Sequence, residues 1–222
     1  MKYNLLFFTI FCSFILNKEA MSQKSISYLA LGDSYTVGEG VPLYESYPYQ
    51  AVQILRKKGL NLQAPEIVAK TGWTTSELLA GINGTKFLPN YDMVTLLIGV
   101  NNQYRGQTVE IYADECESLL KLAIAFAGNE KRRVAVLSIP DWGATPFAEG
   151  RDRAKITEEI NAFNVISKRI SLQYKVQYID ITPGTRLAGQ DPSLVTKDKL
   201  HPSGKEYAKW AEKVAKFAGT IR

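Results

Sequence analysis

The sequence has few of the side chains that most often carry enzyme chemistry. Its 222 residues include one histidine, His201, and two cysteines, Cys12 and Cys116. Any mechanism that needs an imidazole base at neutral pH therefore has a single candidate. Removal of the first twenty residues would also remove Cys12, which excludes an intrachain disulfide in the mature protein. Apolar residues at helical spacing around Cys116 predict a core position rather than a catalytic thiol.

Motifs that bind phosphate or nucleic acid are also lacking. Neither G-x-x-x-x-G-K nor G-x-G-x-x-G occurs, which disfavours a phosphate cradle at the loop that begins at Gly32. The net charge of +5 arises from 27 basic and 22 acidic residues without a concentrated basic patch, so we expect no nucleic-acid partner. No repeat, low-complexity tract or flexible linker interrupts residues 21–222, which predicts a single domain.

The N-terminal residues differ in character from the rest of the chain. Lys2 precedes an apolar run at residues 5–16, which is short for a membrane span but typical of a secretory signal. We expect residues 1–20 to be a signal peptide, the mature protein to be secreted or periplasmic, and no stable membrane span. Lys18 departs from the small residue usual before a cleavage site, which leaves the cleavage point open. If Met21 is the true start, the protein is cytoplasmic.

Strand-like and helix-like segments alternate along the remaining chain. Runs rich in Val, Ile and Leu predict strands at residues 26–31, 67–69, 93–99, 134–139 and 176–181. Helical spacing predicts helices at residues 49–55, 75–82, 109–127 and 156–174, and a last helix after Pro202. This alternation favours an α/β fold with a mainly parallel five-stranded sheet and helices on both sides. Functional residues are then expected in the loops that follow strands.

The segment DKLHP places His201 three residues after Asp198, between the fifth strand and the last helix. A carboxylate at this spacing can orient the imidazole and leave its other nitrogen facing a nucleophile. Because Pro202 suits the first position of a helix, we expect His201 at a helix N-terminus. A lone histidine that only caps a helix is the alternative.

Three further polar features follow the first three predicted strands. Ser34, in the motif GDSY, is the candidate nucleophile; the alternative is that Asp33 and Ser34 cap a helix or close a turn. Gly72 and Asn101 follow the second and third strands and offer a backbone N–H and a side-chain amide. Acyl transfer needs such donors for a developing oxyanion, although each residue taken singly is also a common turn residue.

Together these four segments closely resemble the four sequence blocks of the SGNH, or GDSL, hydrolase family, in the family's order. The resemblance implies a flavodoxin-like three-layer α/β/α sandwich and a serine esterase that needs no metal and no cofactor. It further implies that Ser34 attacks, His201 acts as base and then acid, and Asp198 orients His201. The Ser34 N–H, Gly72 and Asn101 would form the oxyanion hole.

Two positions depart from the family pattern. Tyr35 stands where the namesake motif has Leu, a change expected to alter packing more than chemistry. Asn102 stands where the third block commonly has Asp, which leaves Asn101 in place but changes the hydrogen bonds available to this loop.

The expected activity is hydrolysis of a carboxylic ester, a thioester or an O-acetyl group through a Ser-His-Asp triad and an acyl-enzyme. The substrate is expected to be a small acyl ester or an acylated sugar or lipid. The alternatives are an O-acyltransferase with the same triad, or a non-catalytic carbohydrate- or lipid-binding module. Four residues in loops after strands are candidates for the substrate pocket: Tyr104, Arg105, Trp142 and Phe147. The acyl chain, the leaving group and the oligomeric state are not determined by the sequence.

Overall fold

A computed structural model describes residues 25–221, so the predicted signal peptide at residues 1–20 lies outside the described part. One five-stranded sheet forms the centre of this part. Its strands are β1 Tyr28–Asp33, β2 Glu66–Lys70, β3 Met93–Leu97, β4 Val134–Leu137 and β5 Gln177–Ile179. Their order is β2-β1-β3-β4-β5, and all four neighbouring pairs are parallel. The prediction of a parallel five-stranded α/β fold is confirmed.

Helices cover both faces of the sheet. Every residue of β1, β3 and β4 is buried, and because successive strand residues face opposite sides, neither face is open. Helix α2 packs on α8, and α5 packs on α6 and α3. Across residues 25–221 the helices are α1 Ser34–Val37, α2 Tyr47–Lys57, α3 Thr75–Asn83, α4 Val100–Tyr104, α5 Val109–Phe126, α6 Arg153–Gln173, α7 Thr182–Thr185 and α8 Gly204–Ala218. None of them is long and apolar enough to cross a bilayer.

The end of β3 differs from the prediction. The strand stops at Leu97 rather than continuing to residue 99, because Gly99 has a φ of 129° and turns the chain directly into α4. A side chain at position 99 would be strained at this φ, and its Cβ would lie 2.5 Å from the ring of Tyr112. This turn brings Asn101 back toward the carboxyl edge of the sheet.

The start of the last helix also differs from the prediction. Helix α8 begins at Gly204 with Ser203 as its N-cap residue. Pro202 instead forms an isolated antiparallel bridge with Val195, and the His201 carbonyl accepts a hydrogen bond of 2.8 Å from the N–H of Thr196. The expectation that Pro202 begins the helix, with His201 at its N-terminus, is therefore wrong. A local backbone pairing, rather than a helix dipole, holds His201.

Cys116 is buried in α5, as its helical spacing predicted. Burial raises the pKa of its thiol to about 11, because the thiolate would lose its hydration in the apolar core. The thiol therefore stays protonated at neutral pH, as expected for a packing residue.

Candidate active site

Four chain segments place candidate functional residues at the carboxyl edge of the sheet. Ser34 begins α1 directly after β1, and Gly72 lies between β2 and α3. Asn101 is in α4, which follows β3. Asp198 and His201 lie in the segment between β5 and α8. Residues up to 167 positions apart in the sequence thus meet at one end of the sheet.

Ser34, His201 and Asp198 form a continuous series of hydrogen bonds. His201 Nε2 lies 2.9 Å from Ser34 Oγ, and His201 Nδ1 lies 2.6 Å from Asp198 Oδ2. Ser34 and His201 are 4% and 7% exposed, so the contact between them is largely shielded from water. A hydroxyl, an imidazole and a carboxylate in this order can pass a proton from the hydroxyl to the ring while the carboxylate stabilises the ring's charge.

The Asp198 carboxylate is held by several donors besides the imidazole. Its Oδ1 accepts hydrogen bonds from Thr196 Oγ1 at 2.7 Å and from the backbone N–H groups of Leu200 at 2.8 Å and His201 at 3.0 Å. Partial burial acts to raise the pKa of Asp198, but the hydrogen bond with the His201 ring, together with those from Thr196 and the two backbone N–H groups, outweighs it and lowers the pKa to about 2. The carboxylate is therefore ionised at neutral pH.

The residues on either side of Ser34 are buried. Asp33 is the N-cap of α1, and its Oδ1 accepts a hydrogen bond of 3.0 Å from the N–H of Tyr35. Desolvation raises the pKa of Asp33 to about 7, because this carboxyl group is fully buried. The Tyr35 ring packs 5.1 Å from the His201 ring, centroid to centroid. The residue that replaces the family's Leu thus packs directly against the imidazole.

The candidate oxyanion donors lie in the loops after β2 and β3. Asn101 Nδ2 donates a hydrogen bond of 2.9 Å to the Trp73 carbonyl, and because the amide carries two N–H groups, one remains to donate to a ligand. Gly72 has a φ of 86°, a conformation that side chains rarely allow.

Arg105 was predicted to line the substrate pocket, but it does not line the cavity beside Ser34. Its Nη2 donates to the Gly72 carbonyl at 2.5 Å, and its Nη1 lies 3.2 Å from the Glu77 carboxylate. Its long side chain instead braces the loop of Gly72.

A cavity of about 40 Å³ adjoins Ser34. Asn101 and His201 line it together with three of the four predicted pocket residues, Tyr104, Trp142 and Phe147. Tyr35, Val100 and Leu200, which the sequence did not indicate as pocket residues, complete its wall. The cavity is small and mostly apolar apart from the reacting groups.

Comparison with known proteins identifies the family. The model of the GDSL-like lipase/acylhydrolase family matches residues 30–209, which include Ser34, Gly72, Asn101, Asp198 and His201. The chain belongs to this family. It is therefore a GDSL-type enzyme that hydrolyses carboxylic esters, and a non-catalytic binding module is not favoured.

Individual relatives of this GDSL hydrolase are distant. It is 27% identical to the spore germination lipase of Bacillus licheniformis over 210 residues, which cover 86% of this chain and 95% of the relative. The structure of a lipase/acylhydrolase from Enterococcus faecalis has a TM-score of 0.68 at 18% identity, with 88% of this chain and 96% of that one covered. An acetylxylan esterase from Geobacillus stearothermophilus has a TM-score of 0.68 at 16% identity, with 87% and 94% covered. At these identities the structural likeness shows the shared fold.

Asn102, the second departure from the GDSL pattern, joins the loops after β2 and β3. It is fully buried, and its Oδ1 accepts a hydrogen bond of 3.1 Å from the N–H of Thr75. Its Nδ2 donates to Thr75 Oγ1 and, at 2.7 Å, to Gln107 Oε1. The Thr75 hydroxyl in turn donates to Glu115 of α5. The Thr75 hydroxyl therefore accepts a hydrogen bond from the amide at position 102 and donates one to the carboxylate at position 115.

Several residues that shape the GDSL site were not indicated by the sequence. Gln103 accepts a hydrogen bond of 2.7 Å from Trp142 Nε1. Asp141, which is buried, accepts from Thr157 Oγ1 at 2.9 Å and pairs with Arg186 Nε at 2.9 Å. These contacts join residues 16 to 45 positions apart, so no short motif signals them.

Proposed function

We propose that the chain hydrolyses carboxylic esters through a covalent acyl-enzyme on Ser34. The observation that carries this proposal is the hydrogen-bonded series of Ser34 Oγ, His201 and Asp198, with separations of 2.9 and 2.6 Å. The order of nucleophile, base and orienting carboxylate is the one that acyl transfer requires.

In the proposed acylation step, Ser34 Oγ bonds to the ester carbonyl carbon while its proton passes to His201 Nε2. Asp198 keeps the Nδ1 proton of the ring pointed toward itself and stabilises the imidazolium that forms. The tetrahedral intermediate then collapses, the bond to the alcohol oxygen breaks, and the alcohol leaves with the proton from Nε2. The acyl group remains on Ser34.

In the proposed deacylation step, water replaces the alcohol. His201 Nε2 takes a proton from the water, whose oxygen bonds to the acyl carbon, and the second tetrahedral intermediate expels Ser34 Oγ. That oxygen recovers the proton from the ring, and the carboxylic acid departs. The low pKa of Asp198 supports this role, because an ionised carboxylate is needed to stabilise the imidazolium in both steps.

We assign the oxyanion hole to the N–H groups of Ser34 and Gly72 and to Asn101 Nδ2. Asn101 lines the same cavity as Ser34, and its contact with the Trp73 carbonyl fixes the amide before substrate arrives. A donor held in place in this way needs no reorganisation as negative charge develops on the carbonyl oxygen.

The proposed substrate is a small acyl ester or an acylated sugar or lipid. Among the relatives, one is named a lipase and one an acetylxylan esterase, names that refer to lipid esters and to an acetylated sugar polymer. The small cavity next to Ser34 favours a compact group on at least one side of the ester bond.

A serine-directed fluorophosphonate tests the proposal. Its phosphorus should bond to Ser34 Oγ with loss of fluoride, which mass spectrometry of the peptide that contains Ser34 will detect. Ser34→Ala should abolish both labelling and the hydrolysis of nitrophenyl acetate. Ser118→Ala is the matched control, because Ser118 is exposed on α5 and its hydroxyl bonds only to the Asp114 carbonyl. Labelling at another serine, or full activity of a folded Ser34→Ala variant, would refute the proposal.

A further inference from the structure

Two cavities lie back to back at the active site. The one beside Ser34, the site cavity, has a volume of about 40 Å³. A second, the back cavity, has about 10 Å³ and extends toward Ala188 and Leu194. Tyr35, Trp142 and Leu200 line both of them, so these three side chains form the partition between the two spaces.

Trp142 is the part of this partition that is fixed most firmly. It is 4% exposed, and its Nε1 donates to Gln103 Oε1 at 2.7 Å. Gln103 is itself held, because its Nε2 donates to Glu159 Oε2 at 2.7 Å. On the outer side, the Arg151 guanidinium lies 5.2 Å from the Trp142 ring centroid.

The backbone next to Trp142 is pinned as well. The preceding residue, Asp141, is fully buried, accepts from the Gly143 N–H at 3.1 Å and pairs with Arg186 Nε at 2.9 Å. Ring and backbone are thus both anchored, so the indole acts as a fixed wall rather than a mobile side chain.

We propose that the site cavity receives the acyl group of the substrate and that Trp142 restricts it to short chains of about two to four carbons. This inference rests on the proposed function and specifies its substrate class. About 10–15 Å³ is needed for one water-sized group, so 40 Å³ admits only a few non-hydrogen atoms. The acyl group suits this small cavity because it stays bonded to Ser34 while the alcohol must leave for solvent.

Because the back cavity lies next to Trp142, the limit on acyl chain length depends on this one side chain. This cavity is at the threshold for a single water molecule, and Ser34 is not among the residues that line it. Removal of the indole would join it to the site cavity and create a deeper apolar pocket. A longer acyl chain would then gain buried surface, which raises kcat/KM about fourfold for each methylene that the pocket newly accommodates.

The test is the dependence of kcat/KM on acyl length, measured with nitrophenyl esters from acetate to decanoate. The wild-type value should fall at least tenfold from butanoate to octanoate. Trp142→Ala should raise the ratio of octanoate to butanoate at least tenfold. If Trp142→Ala does not fold, Trp142→Val serves as the second variant, with thermal melting to confirm a folded preparation.

Two matched variants separate a joined cavity from a general loosening of the site. Trp142→Phe retains a ring in the partition and should keep the wild-type ratio within about threefold, although it loses the hydrogen bond to Gln103. Ala188→Leu fills part of the back cavity with side-chain atoms, and Ala188 lines that cavity but not the one beside Ser34. In the Trp142→Ala background, Ala188→Leu should cancel the gain for octanoate.

A second series, acetate esters of increasingly long alcohols, decides which side of the ester the cavity binds. A change in alcohol preference with an unchanged acyl ratio in Trp142→Ala would overturn the inference. Equal wild-type rates for acetate and decanoate esters would also overturn it while leaving the proposed function intact. If the proposed function itself fails, Ser34 takes up no fluorophosphonate or a folded Ser34→Ala variant keeps full activity, whatever the dependence on acyl length.

Discussion

Asp198 contacts His201 at two points, through a different oxygen at each. Its Oδ2 lies 2.6 Å from His201 Nδ1, and its Oδ1 accepts the backbone N–H of the same residue at 3.0 Å. The carboxylate therefore fixes the position of the main chain as well as the orientation of the ring. A mutation that removes the charge of Asp198 but keeps an oxygen for the His201 N–H can therefore separate the effect of the charge from the effect on the position of His201.

Asp198→Asn should lower kcat by about 10²-fold to 10⁴-fold with little loss of stability. Asparagine retains an oxygen for the backbone N–H groups but cannot stabilise the imidazolium as a carboxylate does. His201→Ala should lower kcat at least ~10²-fold, the lower range for loss of a general base. Steady-state kinetics with nitrophenyl acetate, combined with thermal melting, measures both effects.

Asp191→Asn is the control for charge removal in the same region. Asp191 pairs with Lys205 on the exposed surface and has no contact with His201. Its replacement should leave kcat unchanged. Equal rates for Asp198→Asn and Asp191→Asn would show that Asp198 has no part in catalysis.

Asn101→Ala should lower kcat by about 10²-fold to 10³-fold while KM changes little, because an oxyanion donor acts mainly in the transition state. The variant also loses the hydrogen bond to the Trp73 carbonyl, which should cost about 1 kcal/mol of unfolding free energy. Turnover number, KM and thermal melting on one preparation separate the two effects. A normal turnover number with a lowered melting temperature would remove Asn101 from the oxyanion hole.

Asn102→Asp should destabilise the protein by about 1–3 kcal/mol, because it brings a second carboxylate to the network that already contains Glu115. Only Asn102 donates to Thr75 Oγ1 in that network, and an ionised Asp cannot. Adding Glu115→Gln to this variant should recover most of the lost stability, because the new amide at position 115 can then donate to Thr75 Oγ1 in place of Asn102. Urea unfolding of both single variants and the double variant gives the coupling energy.

Strict additivity of Asn102→Asp and Glu115→Gln would contradict this account of the network. The double variant, in which Glu115→Gln restores the melting temperature lost in Asn102→Asp, should have a turnover number within several-fold of wild type. A collapse in turnover of the stabilised double variant would mean that the loop of Asn101 is arranged differently from the family pattern.

Asp33 should make stability fall as the pH rises toward neutrality. Burial raises its pKa from 3.8 to about 7, so between these values the folded protein holds a proton that the unfolded chain has released. The resulting stability is fully present below about pH 4 and is lost as the pH rises through about 7; the difference is on the order of 4 kcal/mol.

Asp33→Asn should remove this dependence, because the amide does not ionise and its oxygen can still accept the N–H of Tyr35. Urea unfolding at about pH 4 and about pH 8 compares the two proteins, and other titrating groups cancel in the difference. Parallel stability profiles for wild type and Asp33→Asn would show that Asp33 does not titrate in this range.

We propose that the protein is exported and that its mature N-terminus lies after Leu16 and before Tyr28, the first residue of β1. Intact-mass measurement on protein from the native host should give a mass lower than that of the full chain by at least the first sixteen residues. A mass that retains Lys2 would exclude cleavage.

The sheet and the positions of the reacting groups were predictable because both depend on short segments. A continuous apolar run identified β1, and the end of that run placed Ser34 at the carboxyl edge. The same reasoning placed Asn101 and His201 at this edge, since parallel strands end together.

Side-chain directions were less predictable, because they depend on partners far along the chain. Arg105 follows a strand, as pocket residues often do, yet it extends to the Gly72 carbonyl and Glu77. Pro202 suits a helix start, but pairing with Val195 takes precedence. The anchoring of Trp142 by Gln103 joins residues 39 positions apart, and nothing in either segment alone points to the other.

The long separation between Ser34 and His201 has a consequence during biosynthesis. The serine directly follows β1, the first strand of the sheet to be made, whereas its base lies 167 residues later and is separated from the helix α8 by only Pro202 and Ser203. A nascent chain still attached to the ribosome can therefore pair its early strands without possessing a hydrolytic centre. Ester hydrolysis in a refolding or translation experiment would report completion of the whole fold, and C-terminally truncated fragments would remain inert toward cellular esters.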